Sequence, residues 1–321
     1  MAQNGKAQSL RFPDQKHNSK VVPSHRKKRL SRINIPSQLS GLVHGKGTEI
    51  DLSRRALIMG ILNVTPDSFS DGGRFLDPSQ AVRYAREMVA AGADLIDVGG
   101  ESSRPGAESV SSEEELHRVI PVIERLSREI SVPISIDTYK ADVACAALKA
   151  GACWVNDISA LRFDPKMAGL IAESRVPVIL MHMKGTPKDM QQYPHYQSVV
   201  DEIYSFLEER VGFAVSAGIQ RGQIILDPGI GFGKRVQDNL TILAELDQFK
   251  RLGRPILLGT SRKAFIGQVL NLPLKERWEG TAATLAIGLM KGARIFRVHD
   301  VGPAVRVIRM AEAVFQAEQW R

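Results

Sequence analysis

Asp137, Asn156, Asp227 and Lys263 each follow a short apolar run. Together they suit recognition of a flat heterocycle. A carboxylate accepts paired hydrogen bonds from adjacent N–H groups, an amide both donates and accepts, and an ammonium donates. Any one alone also reads as a helix N-cap or a turn residue. Four at four separate run ends form a pattern. Arg297 and His299 flank Val298, so in a strand both side chains face the same way and suit an anion. Asn63 ends another run, and its amide oxygen could serve Mg2+, which takes few protein ligands. A lone Asn is more often a turn residue. Asp97, Ser103 and Arg104 are the remaining polar candidates at such ends.

Residues this far apart need a scaffold that gathers them. Eight apolar runs read as strands, at about Ala56–Asn63, Asp94–Val98, Pro133–Asp137, Cys153–Asn156, Pro177–His182, Gln223–Asp227, Pro255–Gly259 and Arg294–Val298. Helical patterns lie between them, among them one from Ser79 as N-cap and one after Ser112 with Glu115 completing a capping box. Others run from about Lys140 to Ala150 and from Val199 to Ala217. Gly92, Gly151, Gly218 and Gly292 read as left-handed helix ends just before strands. Such alternation gives a parallel sheet with right-handed crossovers. Eight strands favour closure into an α/β (β/α)8 TIM barrel, with polar residues on the carboxyl-end face. A Rossmann domain is disfavoured, because no Gly-x-Gly-x-x-Gly loop follows the first strand. Residues 47–53 read as a short strand and turn, part of an N-terminal β-hairpin capping the bottom.

The chain has 321 residues, 43% apolar, with no run long enough to span a membrane and no apolar leader. Residues 46–321 are expected to form the barrel. Residues 1–45 read as a basic, disordered extension: nine Lys or Arg precede residue 35, against Asp14 alone. They lack the interleaved aromatics of a nucleic-acid arm, so no nucleic-acid or membrane partner is expected. Cys145 and Cys153 have no metal-ligand spacing and point to a reducing, cytoplasmic setting. Two loops, Thr65–Gly73 and Gly100–Gly106, are rich in Gly, Pro, Ser and charge, which suits closure over a substrate.

Eight stretches, one per strand end, resemble the dihydropteroate synthase family: Met59–Gly73, Leu95–Gly106, Ile134–Lys140, Val155–Ala160, Leu180–Gly185, Leu226–Lys234, Leu258–Gly267 and Arg297–Val301. The resemblance implies that a dihydropterin bearing a CH2–O–diphosphate is joined to p-aminobenzoate, with Mg2+ assisting. It implies that Asp137, Asn156, Asp227 and Lys263 hold the pterin, with Asp137 and Lys263 catalytic. Arg297, His299 and Ser103 then serve the diphosphate, and Asn63 sits near the metal. Phe69, Asp71, Arg104, Pro105, Phe232 and Ser261 surround p-aminobenzoate or belong to the closing loops. Ser103 stands where the family commonly has threonine; the hydroxyl survives. A homodimer through the late helices is implied, and sulfonamides are the family's p-aminobenzoate mimics. The competing reading is a pterin-dependent methyltransferase barrel, which has no diphosphate to hold.

Overall fold

The computed structural model describes residues 42–45, 48–52, 55–65, 78–104 and 106–317. Eight parallel strands close into a barrel: β3 (Leu57–Asn63), β4 (Leu95–Gly99), β5 (Ile134–Asp137), β6 (Trp154–Asp157), β7 (Val178–Met181), β8 (Ile224–Asp227), β9 (Ile256–Leu258) and β10 (Ala293–Val298), with β10 pairing back to β3. The helices are α1 (Pro78–Ala90), α2 (Ser112–Glu129), α3 (Ala141–Ala150), α4 (Met167–Ser174), α5 (Val199–Ser216), α6 (Val236–Ala244), α7 (Ala264–Leu270), α8 (Trp278–Met290) and α9 (Val301–Gln316). An antiparallel hairpin of β1 (Leu42–Gly45) and β2 (Thr48–Asp51) precedes the barrel. Its first strand thus begins inside the stretch read as extension. Residues 1–41 lie outside the described residues.

Strand alternation explains how the barrel sorts its side chains. One set, including Ile58, Ile96, Ile136, Val155, Leu180, Leu226, Leu258 and Phe296, faces the helices and joins the main apolar core. The other set points into the barrel. Its lower layer holds Leu57, Met59, Leu95, Trp154, Ile179, Ile225, Leu257 and Ile295, and Val43 and Leu52 pack onto that layer from the hairpin. The hairpin therefore plugs the bottom, as expected. Two residues further along β4, β5, β6, β8 and β10, the same inward face carries Asp97, Asp137, Asn156, Asp227 and Arg297. The lower layer is apolar but for Ser135 of β5, and the upper layer is polar and mostly charged.

Helix starts differ from expectation in two places. Pro78 opens α1, which leaves Ser79 inside its first turn; proline suits that position because its missing N–H is not needed there. Ser111 caps α2, its Oγ accepting the Glu114 N–H at 3.1 Å. Glu115 does not complete a capping box; it turns inward to Lys140 Nζ at 2.6 Å. The four helix-ending glycines all have positive φ, as expected.

Candidate active site

Arg297 ties the upper layer together. Its Nε donates to Asp97 Oδ2 and its Nη2 to Asp137 Oδ2, both at 2.6 Å. The same Asp97 oxygen accepts from Asn156 Nδ2 at 3.0 Å. Asp97 is fully buried, and its other oxygen, Oδ1, has no hydrogen-bond partner among the described residues. Burial raises the Asp137 pKa above the ordinary carboxylate range; Arg297 opposes this and the Asp97 charge reinforces it. Arg297, beside two carboxylates, holds its proton more firmly than an ordinary arginine despite burial. It is engaged by carboxylates, whereas the sequence reading gave it to an anionic ligand.

Asp227 ends β8 and turns the chain: its Oδ1 accepts the Gly229 N–H at 2.7 Å. Gly229 has φ +68°, and a Cβ there would lie 1.9 Å from the His182 carbonyl oxygen, so the turn requires glycine. Lys263 follows β9 and donates to the Ile230 carbonyl, with its ammonium 4.5 Å from the centre of the Phe232 ring. Burial lowers the Lys263 pKa to about 8, although Asp227 opposes the shift. Burial also raises the Asp227 pKa, with Lys263 opposing. Asp227, Asn156, Asp137 and Lys263 thus share the barrel mouth, with Arg297 added to the expected ring.

The rim beside β10 gathers Ser261, Arg262, His299 and Asp300. Ser261 Oγ accepts the His299 backbone N–H at 3.2 Å and lies 3.1 Å from its Nδ1. The His299 pKa falls to about 4, through burial first and then the positive charges of Arg297 and Arg262, with Asp300 opposing and Arg104 adding a weaker push. His299 is therefore neutral near pH 7, which corrects its reading as a second cation. The positive charge there comes from arginines, of which Arg262 pairs with Asp300, Nε to Oδ2, at 2.9 Å. Ser103 is half-buried and Arg104 exposed. Ser261 belongs to this rim by its contacts, although the resemblance grouped it with p-aminobenzoate. Asn63 ends β3 half-buried, and its side-chain amide makes no hydrogen bond to a described residue. Among the described residues no group of three or more His, Cys, Asp or Glu could hold a metal ion. Phe69, Asp71 and Pro105 lie outside the described residues.

Several contributors were not assigned from sequence. The sequence marks Asp97 as a polar strand-end residue without a role; its alternation with inward-facing Leu95 is the available signal. Ile158, Met181, Met183 and Met190 form a buried apolar group against which Tyr139 and Phe232 pack. Nothing local distinguishes these methionines from ordinary core.

Residues 59–299, which carry every strand end described above, match the model of a family described as pterin binding enzyme. This chain belongs to that family. A relative is the dihydropteroate synthase of Bacillus subtilis, 51% identical over 273 residues, covering 85% of this chain and 93% of the relative. The family fold is matched by the Yersinia pestis dihydropteroate synthase in complex with a sulfonamide drug, with TM-score 0.81 and 44% identity, covering 86% of this chain and 99% of that one. The Xanthomonas albilineans dihydropteroate synthase with 4-aminobenzoic acid gives TM-score 0.80 and 45% identity, covering 86% and 98%.

Proposed function

We propose that this member of the family joins a 7,8-dihydropterin-6-ylmethyl diphosphate to p-aminobenzoate, yielding 7,8-dihydropteroate and pyrophosphate. This is the dihydropteroate synthase reaction of folate biosynthesis, transfer of a pterinylmethyl group. The observation that carries it is one barrel mouth holding two kinds of surface: a buried carboxylate–amide ring, and beside β10 a rim with a positive field. A heterocycle fits the first and a diphosphate the second.

Asp227 and Asn156 take the amino-pyrimidinone edge of the pterin, and Lys263 donates to the ring. Diphosphate leaves with the electrons of the C–O bond, and positive charge spreads into the pterin. The Asp137 carboxylate stabilises that charge, strongly because the site is buried. The aniline nitrogen then forms the new C–N bond and releases a proton. Ser103, Arg104, Ser261 and His299 hold the departing diphosphate, with Arg297 adding positive charge from beneath. Phe232 and Lys263 line the p-aminobenzoate side, where sulfonamides compete.

Mg2+ fits the donor set through Asn63, an amide oxygen with no described partner, because this ion keeps most of its waters and takes substrate oxygens. When bound it offsets charge on the diphosphate. Two exposed apolar stretches support a homodimer: Ile287 and Met290 on α8, and Met310, Val314 and Phe315 on the adjoining α9. Both cysteines are free thiols, which supports work in the cytoplasm, to be checked by cell fractionation. No described helix is long and apolar enough to cross a membrane.

Calorimetry with Mg2+ separates this function from the methyltransferase reading. The pterin diphosphate is expected to bind about tenfold or more tightly than the same pterin with a hydroxymethyl group, from lost charged hydrogen bonds. Equal affinities contradict the diphosphate site.

A further inference from the structure

Four successive carbonyls of the loop after β8 are each held by a side chain. Lys263 Nζ donates to the Ile230 oxygen, Gln191 Nε2 to Gly231 (2.6 Å), Lys234 Nζ to Phe232 (3.0 Å) and the Tyr196 hydroxyl to Gly233 (2.7 Å). Gly229, Gly231 and Gly233 all have positive φ, so this loop has little conformational preference of its own. It carries Phe232, whose ring lies against Lys263. Its clamps therefore decide where that ring stands.

Two of the four clamps come from residues 184–198, the long connection between β7 and α5, to which neither the sequence nor the mechanism gives a role. That connection is itself held at both sides. Met190 is buried with Ile158, Met181 and Met183, on the apolar group against which Phe232 packs. Three residues earlier, the Pro187 carbonyl accepts the Gly106 N–H at 3.0 Å, from the loop after β4. The connection thus touches the loop that carries Ser103 and Arg104, and also the loop that carries Phe232. Gln191 is exposed, and its amide reaches across to Gly231.

We propose that Gln191 is a positioning residue for p-aminobenzoate: by holding the Gly231 carbonyl it sets the neighbouring Phe232 ring in the arrangement that receives the aniline substrate. The role rests on the synthase reading. Among the described residues the Gln191 amide bonds to Gly231 and to neither the carboxylate ring nor the β10 rim, so the pterin diphosphate does not depend on it. Its exposure means that removing the amide leaves the Gly231 carbonyl within reach of water, so stability is not at stake.

The test is steady-state kinetics on Gln191→Ala and Gln191→Lys, with Tm measured for each. Tyr193→Ala, on the same connection and 94% exposed, is the control. Gln191→Ala is expected to raise the KM for p-aminobenzoate about three- to tenfold, the loss of one hydrogen bond. The KM for the pterin diphosphate should stay within about twofold, with kcat and Tm near wild type. Gln191→Lys keeps a donor of similar reach and should recover most of the loss, and Tyr193→Ala should behave as wild type. An unchanged p-aminobenzoate KM in Gln191→Ala overturns the role. So does an equal rise in both KM values, or a fall in Tm that accompanies it, either of which marks a general brace. A wild type that forms no dihydropteroate instead removes the synthase reading, and this role with it.

Discussion

Charge states at the barrel mouth decide when the site can work. Asp137 must be ionised to stabilise a pterin cation, and burial together with Asp97 raises its pKa. Lys263 must be protonated to act as a cation, and burial lowers its pKa to about 8. The signs give a bell-shaped kcat/KM profile. Activity rises as Asp137 loses its proton, at a pH above the ordinary carboxylate range, and falls as Lys263 loses its own near 8. Lys263→Arg should move the alkaline limb upward, because a guanidinium stays charged. A wild-type profile still flat beyond pH 9 contradicts the role given to Lys263. At this scale, identities were legible in the sequence and states were not. Asp137, Asn156, Asp227 and Lys263 were recognisable as residue types at strand ends. That Arg297 would bind Asp97 and Asp137, and that its charge would help make His299 neutral, depends on distances across the barrel. Contacts between strands so far apart in the chain leave no local pattern.

Elements were the most legible level. A strand that buries one residue inward places the next but one inward too, so Leu95 predicts Asp97, Trp154 predicts Asn156, and Ile225 predicts Asp227. The strand bounds agree with expectation within one or two residues. Helix starts were less legible, because several Ser and Glu residues compete near each one: Ser111 and Ser112 are both good caps, and the structure uses Ser111. Glu115 differs for a related reason: it is buried, and the half-buried Lys140 outcompetes a local backbone N–H for its carboxylate. The connections were the least legible. No local pattern singles out Met190 or Gln191 between β7 and α5, yet they reach the site's margin through one buried side chain and one amide. A loop's contacts are set by what the barrel brings beside it.

The molecule as a whole divides its labour between a bottom plugged by the hairpin and a mouth that carries charge. Its outer surface adds one feature, the exposed apolar residues of α8 and α9. If they meet a second copy, light scattering should report a dimer, and Met290→Glu with Met310→Glu should shift it toward monomer by burying charge at the interface. A wild type that is monomeric at micromolar concentration contradicts the dimer. The most direct measurement of the whole reading is dihydropteroate formation from the pterin diphosphate, p-aminobenzoate and Mg2+, with pyrophosphate followed in the same reaction. Product is expected only when all three are present, with one pyrophosphate per dihydropteroate, and turnover should collapse in Lys263→Ala. Pterin binding without product, or product that is indifferent to Lys263, contradicts the assignment of this barrel mouth as a synthase site.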